Sequence, residues 1–186
     1  MQAVFGYGSL MNRSTLAYDL TLRAASIRGW VRQWRNPFEM NGVRLCFLTV
    51  HPRQNFLLRG ALLSDGPQEL DRIITEREHS DVIVSTPCLI DGIGTINANL
   101  YVAPQANLFW ASANAPIHLS YLDCVLQGCQ QLYGPEGINE FITTTEGWYL
   151  PLIDDRERPM YTRSVRLTKK DVKLIDSCLR HHDLLE

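Results

Sequence analysis

Runs of β-branched and aromatic residues, separated by turn signals, occupy most of the first hundred positions and predict β-strands. The predicted strands are residues 2–6, 25–34, 44–50, 56–63, 82–84 and 94–102. Asn41-Gly42 and residues 51–55 carry turn-forming residues and are predicted to separate the second, third and fourth strands. The last two strands follow a segment with a different, helical period.

Apolar residues recur at helical spacing in one early segment and in the last third of the chain. The predicted helices are residues 68–79, a segment from 117 or 118 to 133, 137–143 and 168–179. Ser64 or Asp65 is predicted to cap the early helix, with Pro67 in its first turn. Thr168-x-x-Asp171 has the spacing of a capping box at the start of the last helix.

The order of these elements predicts the fold class. Five or six strands around one early helix, with the other helices at the end, favour an α+β fold with a small curled or closed mixed β-barrel. An alternating, doubly wound sheet does not fit this order. No internal repeat, low-complexity tract or break in composition divides the chain, so one domain over residues 1–186 is predicted.

Composition narrows the class of partner. The chain has 186 residues, 45% hydrophobic and 20% charged, with a formal net charge of −2. Basic residues are scattered among acidic ones, so a nucleic-acid partner is not expected. No apolar run has the length of a membrane span, and no signal-peptide pattern precedes the first strand, so a cytoplasmic protein is expected. The expected oligomeric state is a monomer or a homodimer.

The five cysteines contain no Cys-x-x-Cys pair, so neither a disulfide scaffold nor a zinc site is expected. Cys46 and Cys88 lie within apolar runs and are predicted to be buried as small hydrophobic residues. His181-His182 near the C-terminus is interpreted as a solvated helix end. No metal and no cofactor are therefore expected.

The residues after the first strand combine backbone freedom with polar groups. Gly6 and Gly8 lack side chains, so another group can approach the backbone closely, and Tyr7, Ser9 and Leu10 supply a ring, a hydroxyl and an apolar wall. Consecutive free amides form a concavity that suits a carboxylate or an oxyanion. A plain tight turn would have the same sequence.

The early helix carries a carboxylate beside its apolar face. Leu70 and Ile74 define that face, and Glu78 lies four residues after Ile74, whereas Glu76 projects towards solvent. A carboxylate directed at a core or pocket is unfavourable unless it is paired or used in chemistry. Glu78 either pairs with an arginine at the helix end or, if partly buried, has a pKa raised into the range of a general base.

These two features together resemble a known family. Phe5-Gly6-Tyr7-Gly8-Ser9-Leu10 resembles the Tyr-Gly-Ser-Leu signature of the γ-glutamylcyclotransferase-like proteins. Ile74-Thr75-Glu76-Arg77-Glu78 is similar to the segment in which that family places its catalytic glutamate. The resemblance covers residues 1–105 well and residues 116–148 and 155–163 less specifically. The tyrosine that many members have after this glutamate is replaced here by His79-Ser80-Asp81-Val82.

The resemblance implies an enzyme that releases 5-oxoproline from a γ-glutamyl amino acid, a γ-glutamylamine or glutathione. Internal attack of the substrate's α-amine on its γ-carbonyl needs neither a metal nor a cofactor. Glu78 would be the general acid/base. The implied substrate-binding residues are Tyr7, Gly8, Ser9, Leu10 and, by a looser match, Tyr101.

Two alternatives remain open at the level of sequence. The same glycine-containing turn could bind a small carboxylate or a peptide end without turnover, although an inward-facing Glu78 would not help a protein that only binds anions. Arg163, close to Tyr161, could bind a substrate carboxylate, but a surface ion pair is the simpler interpretation.

Overall fold

A computed structural model of the chain describes residues 3–16, 19–40, 42–77 and 82–186. The strands in this part are β1 (Val4–Gly6), β2 (Thr21–Met40), β3 (Val43–Ser64), β4 (Val82–Ile90), β5 (Gly94–Val102) and β6 (Thr145–Glu146). The α-helices are α1 (Pro67–Arg77), α2 (Leu119–Tyr133), α3 (Pro135–Thr144) and α4 (Lys169–His181). Short 3₁₀ helices span Ser9–Met11, Arg13–Thr15 and Gln105–Asn107.

Strands β1 to β5 close into a barrel. Strand order runs β3-β1-β5-β4-β2, and β2 pairs again with β3, so each of the five has a neighbour on both sides. The pairing of β1 with β5 is parallel and the other pairings within the barrel are antiparallel. The short β6 lies parallel to β2 outside this closed set. The predicted α+β fold with a closed mixed barrel is confirmed.

The long hairpin of β2 and β3 differs from the prediction at one place. β3 continues through residues 51–55, where a separate turn was predicted, so that prediction is wrong. The register shifts there, because Trp30 pairs with Pro52 and Arg28 pairs with Leu57. Asn55, with a φ of 63°, lies in the resulting bulge. A bulge bends a strand while pairing continues on both sides, which explains the turn-like sequence.

Buried apolar side chains of the described residues form two clusters on opposite faces of the sheet. One lies inside the barrel and includes Phe5, Ile27 and Leu100. The other lies between the barrel and the helices and includes Val4 and Trp34. The alternation of Val4 and Phe5 follows from the two-residue period of a strand, which directs neighbouring side chains to opposite faces.

Helix α1 packs on the barrel through Leu70 and Ile73, both almost fully buried. The residue directly before the helix is Gly66, whose carbonyl accepts hydrogen bonds from the amides of Glu69 and Leu70. The predicted cap at Ser64 or Asp65 is therefore displaced by one or two residues. The predicted strand at residues 82–84 extends to Ile90, because it pairs with β5 along its whole length.

The C-terminal helices cover one side of the barrel. α2 is buried along most of its length, and Gly134 separates it from α3. Thr168 and Asp171 exchange the two hydrogen bonds of a capping box, as predicted for the start of α4. No helix in the described part of the chain is long and apolar enough to cross a membrane.

All five cysteines are buried and unpaired, which confirms the prediction for Cys46 and Cys88. Burial raises the pKa of the Cys46 thiol to about 12 and that of Cys88 to about 11. A thiol with so high a pKa stays protonated at neutral pH and is a poor nucleophile. These residues therefore act as packing groups.

Replacing Gly60 by alanine tests the close packing at the point where the barrel closes. A Cβ at Gly60 would overlap the Gly6 carbonyl oxygen and the ring of Phe5. We expect Gly60→Ala to lower the free energy of unfolding by about 1–3 kcal/mol, measured by urea denaturation. The control Leu57→Ala, at an exposed position of the same strand, is expected to change it by about 0.5 kcal/mol or less.

Candidate functional site

A cavity of about 420 Å³ lies where β1 ends, within the size range of small-molecule sites. It is lined by the turn after β1, the tip of the β2–β3 hairpin, the end of α1, and side chains from β5, α2 and the segment before α4. The lining residues are Phe5, Gly6, Tyr7, Gly8, Ser9, Leu10, Asn36, Pro37, Phe38, Met40, Phe47, Leu48, Glu76, Arg77, Tyr101, Pro104, Tyr121, Tyr161 and Arg163.

Gly8 allows an aromatic side chain to reach the backbone of the turn. A Cβ at Gly8 would lie 2.9 Å from the hydroxyl oxygen of Tyr121. The first hydrogen bond of the following 3₁₀ helix runs from the Met11 amide to the Gly8 carbonyl, at 2.9 Å. Ser9 and Leu10 line the cavity, and their amides precede that first hydrogen bond of the 3₁₀ helix.

The hydroxyl groups of two tyrosines donate hydrogen bonds to residues that were predicted for the site. The hydroxyl of Tyr161 donates to Ser9 Oγ at 2.8 Å, so the serine retains its own proton for a ligand. The hydroxyl of Tyr7 donates to the backbone carbonyl of Tyr101 at 2.7 Å and joins β5 to the turn after β1. The ring of Tyr7 is therefore held against the cavity by its own hydrogen bond.

Aromatic rings form one wall of the cavity. Tyr121 lies edge-on to Phe47 and to Tyr161, with ring centroids 4.7 Å and 5.0 Å apart. Phe38 packs against Phe47 from the solvent side, at 6.1 Å. These T-shaped contacts fix the ring positions, because the edge of one ring attracts the face of the next.

The charged side chains that line the cavity lie at the end of α1 and in the segment before α4. Glu76 accepts a hydrogen bond from Arg72 at 2.9 Å, and its carboxylate lies 3.7 Å from the guanidinium of Arg163. The Arg77 guanidinium donates to the carbonyl oxygen of Thr15 at 2.7 Å. Glu76 is exposed, as predicted, and also lines the cavity. Arg163 forms the ion pair given by one interpretation of the sequence and lines the cavity, whereas the binding of a substrate carboxylate stays a prediction.

Asp155 holds the segment that carries Tyr161. Its carboxylate accepts hydrogen bonds from the Ser120 amide at 2.8 Å, the Ser120 hydroxyl at 2.6 Å and the Met160 amide at 2.9 Å. Burial alone would raise the pKa of Asp155, but hydrogen bonds from His118, Ser120 and Met160 outweigh it and lower the pKa to about 2. The carboxylate is therefore ionised at neutral pH.

The tyrosine hydroxyls in the wall stay protonated. Burial raises the pKa of Tyr161 to about 12 and raises that of Tyr121 well above its usual value. Both side chains are therefore hydrogen-bond donors rather than bases at neutral pH. Among the described residues, no group of three or more histidine, cysteine or acidic side chains could hold a metal ion.

Comparison with known proteins identifies the architecture. No protein-family model matches the sequence, and no curated protein matches it. A solved structure described as gamma-glutamyl cyclotransferase superposes over 95% of this chain and 98% of its own, with a TM-score of 0.63 and 12% identity. An uncharacterized protein from Homo sapiens matches over 94% and 97%, with a TM-score of 0.61 and 12% identity.

The chain has the γ-glutamylcyclotransferase-like fold. A third match, YkqA from Bacillus subtilis, has a TM-score of 0.60 and 14% identity, and covers 76% of this chain and 53% of its own. At identities this low the matches establish the shared architecture. The roles of individual residues must therefore be argued from this chain.

On this γ-glutamylcyclotransferase-like fold, all five residues expected to bind substrate line one cavity. They are Tyr7, Gly8, Ser9, Leu10 and Tyr101. Glu78, the expected acid/base, lies outside the described residues, and its role stays a prediction. The last two described residues of α1, Glu76 and Arg77, both line the cavity, and Glu78 follows Arg77 directly in the chain.

The sequence did not identify several other residues that line the cavity. Tyr121 lies in a helix whose other residues are mostly buried, and Phe47 lies in a predicted strand, so both resemble ordinary core residues. Their positions depend on how α2 and the β2–β3 hairpin pack against the turn after β1. A single sequence does not report those long-range contacts.

The buried hydroxyl of Tyr161 yields a titration prediction. In the folded protein its pKa is about 12, above the value of about 10 for an exposed tyrosine, so its stabilising contribution is complete below about pH 10 and is lost as the pH rises towards 12. At about pH 11, immediately after a pH jump, we expect Tyr161→Phe to leave the tyrosinate absorbance of the native protein unchanged. In denaturant the same variant should lose one of the seven tyrosinates. A loss in the native sample would show that the hydroxyl is accessible.

Proposed function

We propose that this protein is a γ-glutamyl cyclotransferase that releases 5-oxoproline from a γ-glutamyl compound. The proposal rests mainly on one observation. The turn after β1 and the end of α1 line the same small cavity. The architecture shared with a gamma-glutamyl cyclotransferase over nearly the full length of both chains supports it. The cavity size suits a small molecule rather than a macromolecule.

The proposed binding mode uses the turn after β1. The amides at Gly8, Ser9 and Leu10 would hold the substrate's α-carboxylate or the oxyanion that develops on the γ-carbonyl. The Ser9 hydroxyl, which accepts a hydrogen bond from Tyr161, would donate its own proton to the same group. The aromatic wall would hold the flexible γ-glutamyl chain folded, so that its α-nitrogen faces the γ-carbonyl carbon.

The proposed reaction is an internal displacement. The α-nitrogen attacks the γ-carbonyl carbon, a new carbon–nitrogen bond closes the five-membered ring, and the original γ-amide bond breaks. Glu78 would accept the proton lost by the attacking amine and pass it to the departing amine nitrogen. The products are 5-oxoproline and a free amine, and the atoms balance without water, redox change or metal.

Replacing Glu78 is the direct test of this mechanism. We expect Glu78→Gln to fold normally and to lose at least about 100-fold in the rate of 5-oxoproline release, because glutamine cannot accept a proton. The wild type and the variant are incubated with γ-glutamyl amino acids, γ-glutamylamines and glutathione, and 5-oxoproline is quantified by chromatography. Full activity in the variant would exclude Glu78 from the mechanism.

Two other variants of α1 make the test specific. Asp71→Asn, at an exposed position of the same helix, should leave turnover within about twofold of the wild type. Glu76→Gln should retain at least about a tenth of the activity, because Glu76 is bound to Arg72. If Glu76→Gln were inactive and Glu78→Gln active, the acid/base would be Glu76. Tight binding of these compounds without any product would favour the non-catalytic binding module.

A further inference from the structure

Arg163 lies where the cavity meets a second, more open groove. This groove has a volume of about 450 Å³, and its polar lining consists of Ser14, Thr15, Arg72, Arg77, Arg163 and Ser164. Arg77 and Arg163 line both the cavity and the groove. A ligand that extends out of the cavity in this direction must pass these guanidinium groups.

Arginines supply the charged side chains in the described lining of the groove. The described lining of the groove contains three arginines, and Glu76, which contacts two of them, lines only the cavity. Arg72 is bound to both Glu69 and Glu76, so much of its charge is already balanced. The guanidinium groups in the groove can donate hydrogen bonds to an anionic group.

Arg163 is the arginine best placed to bind that anion. Its contacts within the described residues are long: 3.7 Å to the Glu76 carboxylate and 3.5 Å to the Glu76 carbonyl oxygen. Its side chain keeps 28% of its surface exposed. A guanidinium has five N–H donors and binds a carboxylate best through two parallel hydrogen bonds. A ligand carboxylate would thus replace a weak contact rather than a strong one.

The position of Arg163 relative to the turn after β1 indicates which part of the substrate it would meet. Arg163 follows Tyr161 by two residues, and Tyr161 is hydrogen-bonded to Ser9. If that turn holds the γ-glutamyl part, the departing amine lies further out, towards Arg163 and the groove. This step rests on the proposed function of the cavity.

We propose that Arg163 binds a carboxylate on the leaving group, so that the substrates are γ-glutamyl amino acids and short γ-glutamyl peptides rather than γ-glutamylamines. A γ-glutamylamine would leave Arg163 with only its long contacts to Glu76. The open groove leaves room for a leaving group longer than one amino acid. Arg163 is then a specificity-determining residue, separate from the acid/base.

A matched pair of substrates tests this assignment. γ-Glutamyl-alanine and γ-glutamyl-isopropylamine have leaving groups that branch at the same carbon, and the first carries a carboxylate where the second carries a methyl group. We expect Arg163→Gln to lower kcat/KM for γ-glutamyl-alanine at least about tenfold, through KM, since a charge-assisted pair is lost. The same variant should change kcat/KM for γ-glutamyl-isopropylamine less than about threefold. Arg163→Lys, which keeps the charge, should recover part of the preference.

The control variant is Arg166→Gln, which removes an exposed arginine three residues away and should leave both substrates unaffected. An equal loss for both substrates in Arg163→Gln would show a merely structural role and would overturn the assignment. So would a wild-type enzyme with equal kcat/KM for both, although the proposed reaction would then stand.

Calorimetric titration of the same two compounds into wild type and Arg163→Gln separates the two proposals. Preferential binding of γ-glutamyl-alanine that Arg163→Gln abolishes, in the absence of turnover, would support the Arg163 site and contradict the reaction. Absence of both turnover and preferential binding would contradict both.

Discussion

The site depends on a three-residue strand, β1, which closes the barrel. β1 pairs with β3 on one side, where Phe5 opposes Leu62, and with β5 on the other, where Val4 opposes Asn99. Val4 packs towards the helices and Phe5 into the barrel, so a slip of one residue would exchange the two faces. Because the register is fixed on both sides, the turn that follows reaches the cavity at a defined position.

One wall of the cavity comes from the segment before α4, which has no regular secondary structure and is held by buried charges. Asp155 binds the Ser120 amide and hydroxyl, and Arg156 binds Asp123 and Asp176. These contacts tie the segment before α4 to two helices. Buried charges are tolerated only when their hydrogen bonds are satisfied, and here each group has several partners. The hydrogen bond between Tyr161 and Ser9 then joins this wall to the turn after β1.

The sequence predicted most of the strands and helices because their alternation and helical periodicity are local properties. It was wrong at residues 51–55, because a bulge and a turn use the same residues and only the pairing of β2 with β3 distinguishes them. The predicted strand at residues 82–84 was too short. The second half of β4 alternates exposed and buried residues because of its pairing with partner strands, which the sequence alone does not show. For the cavity, a contiguous motif identified the residues from Tyr7 to Leu10. Tyr121 could not be identified, because its place there comes from the packing of α2.

Proton transfer is proposed for Glu78 and not for Glu76. The Glu76 carboxylate lies between Arg72 and Arg163, at 2.9 Å and 3.7 Å from their guanidinium groups. The sequence predicts that the helix continues to residue 79, and two residues that are two apart on a helix face in different directions. A carboxylate at position 78 therefore would not share the partners of Glu76. In the proposed mechanism, Glu76 forms ion pairs, Glu78 transfers the proton, and Arg163, whose contacts to Glu76 are long, binds the carboxylate of the leaving group.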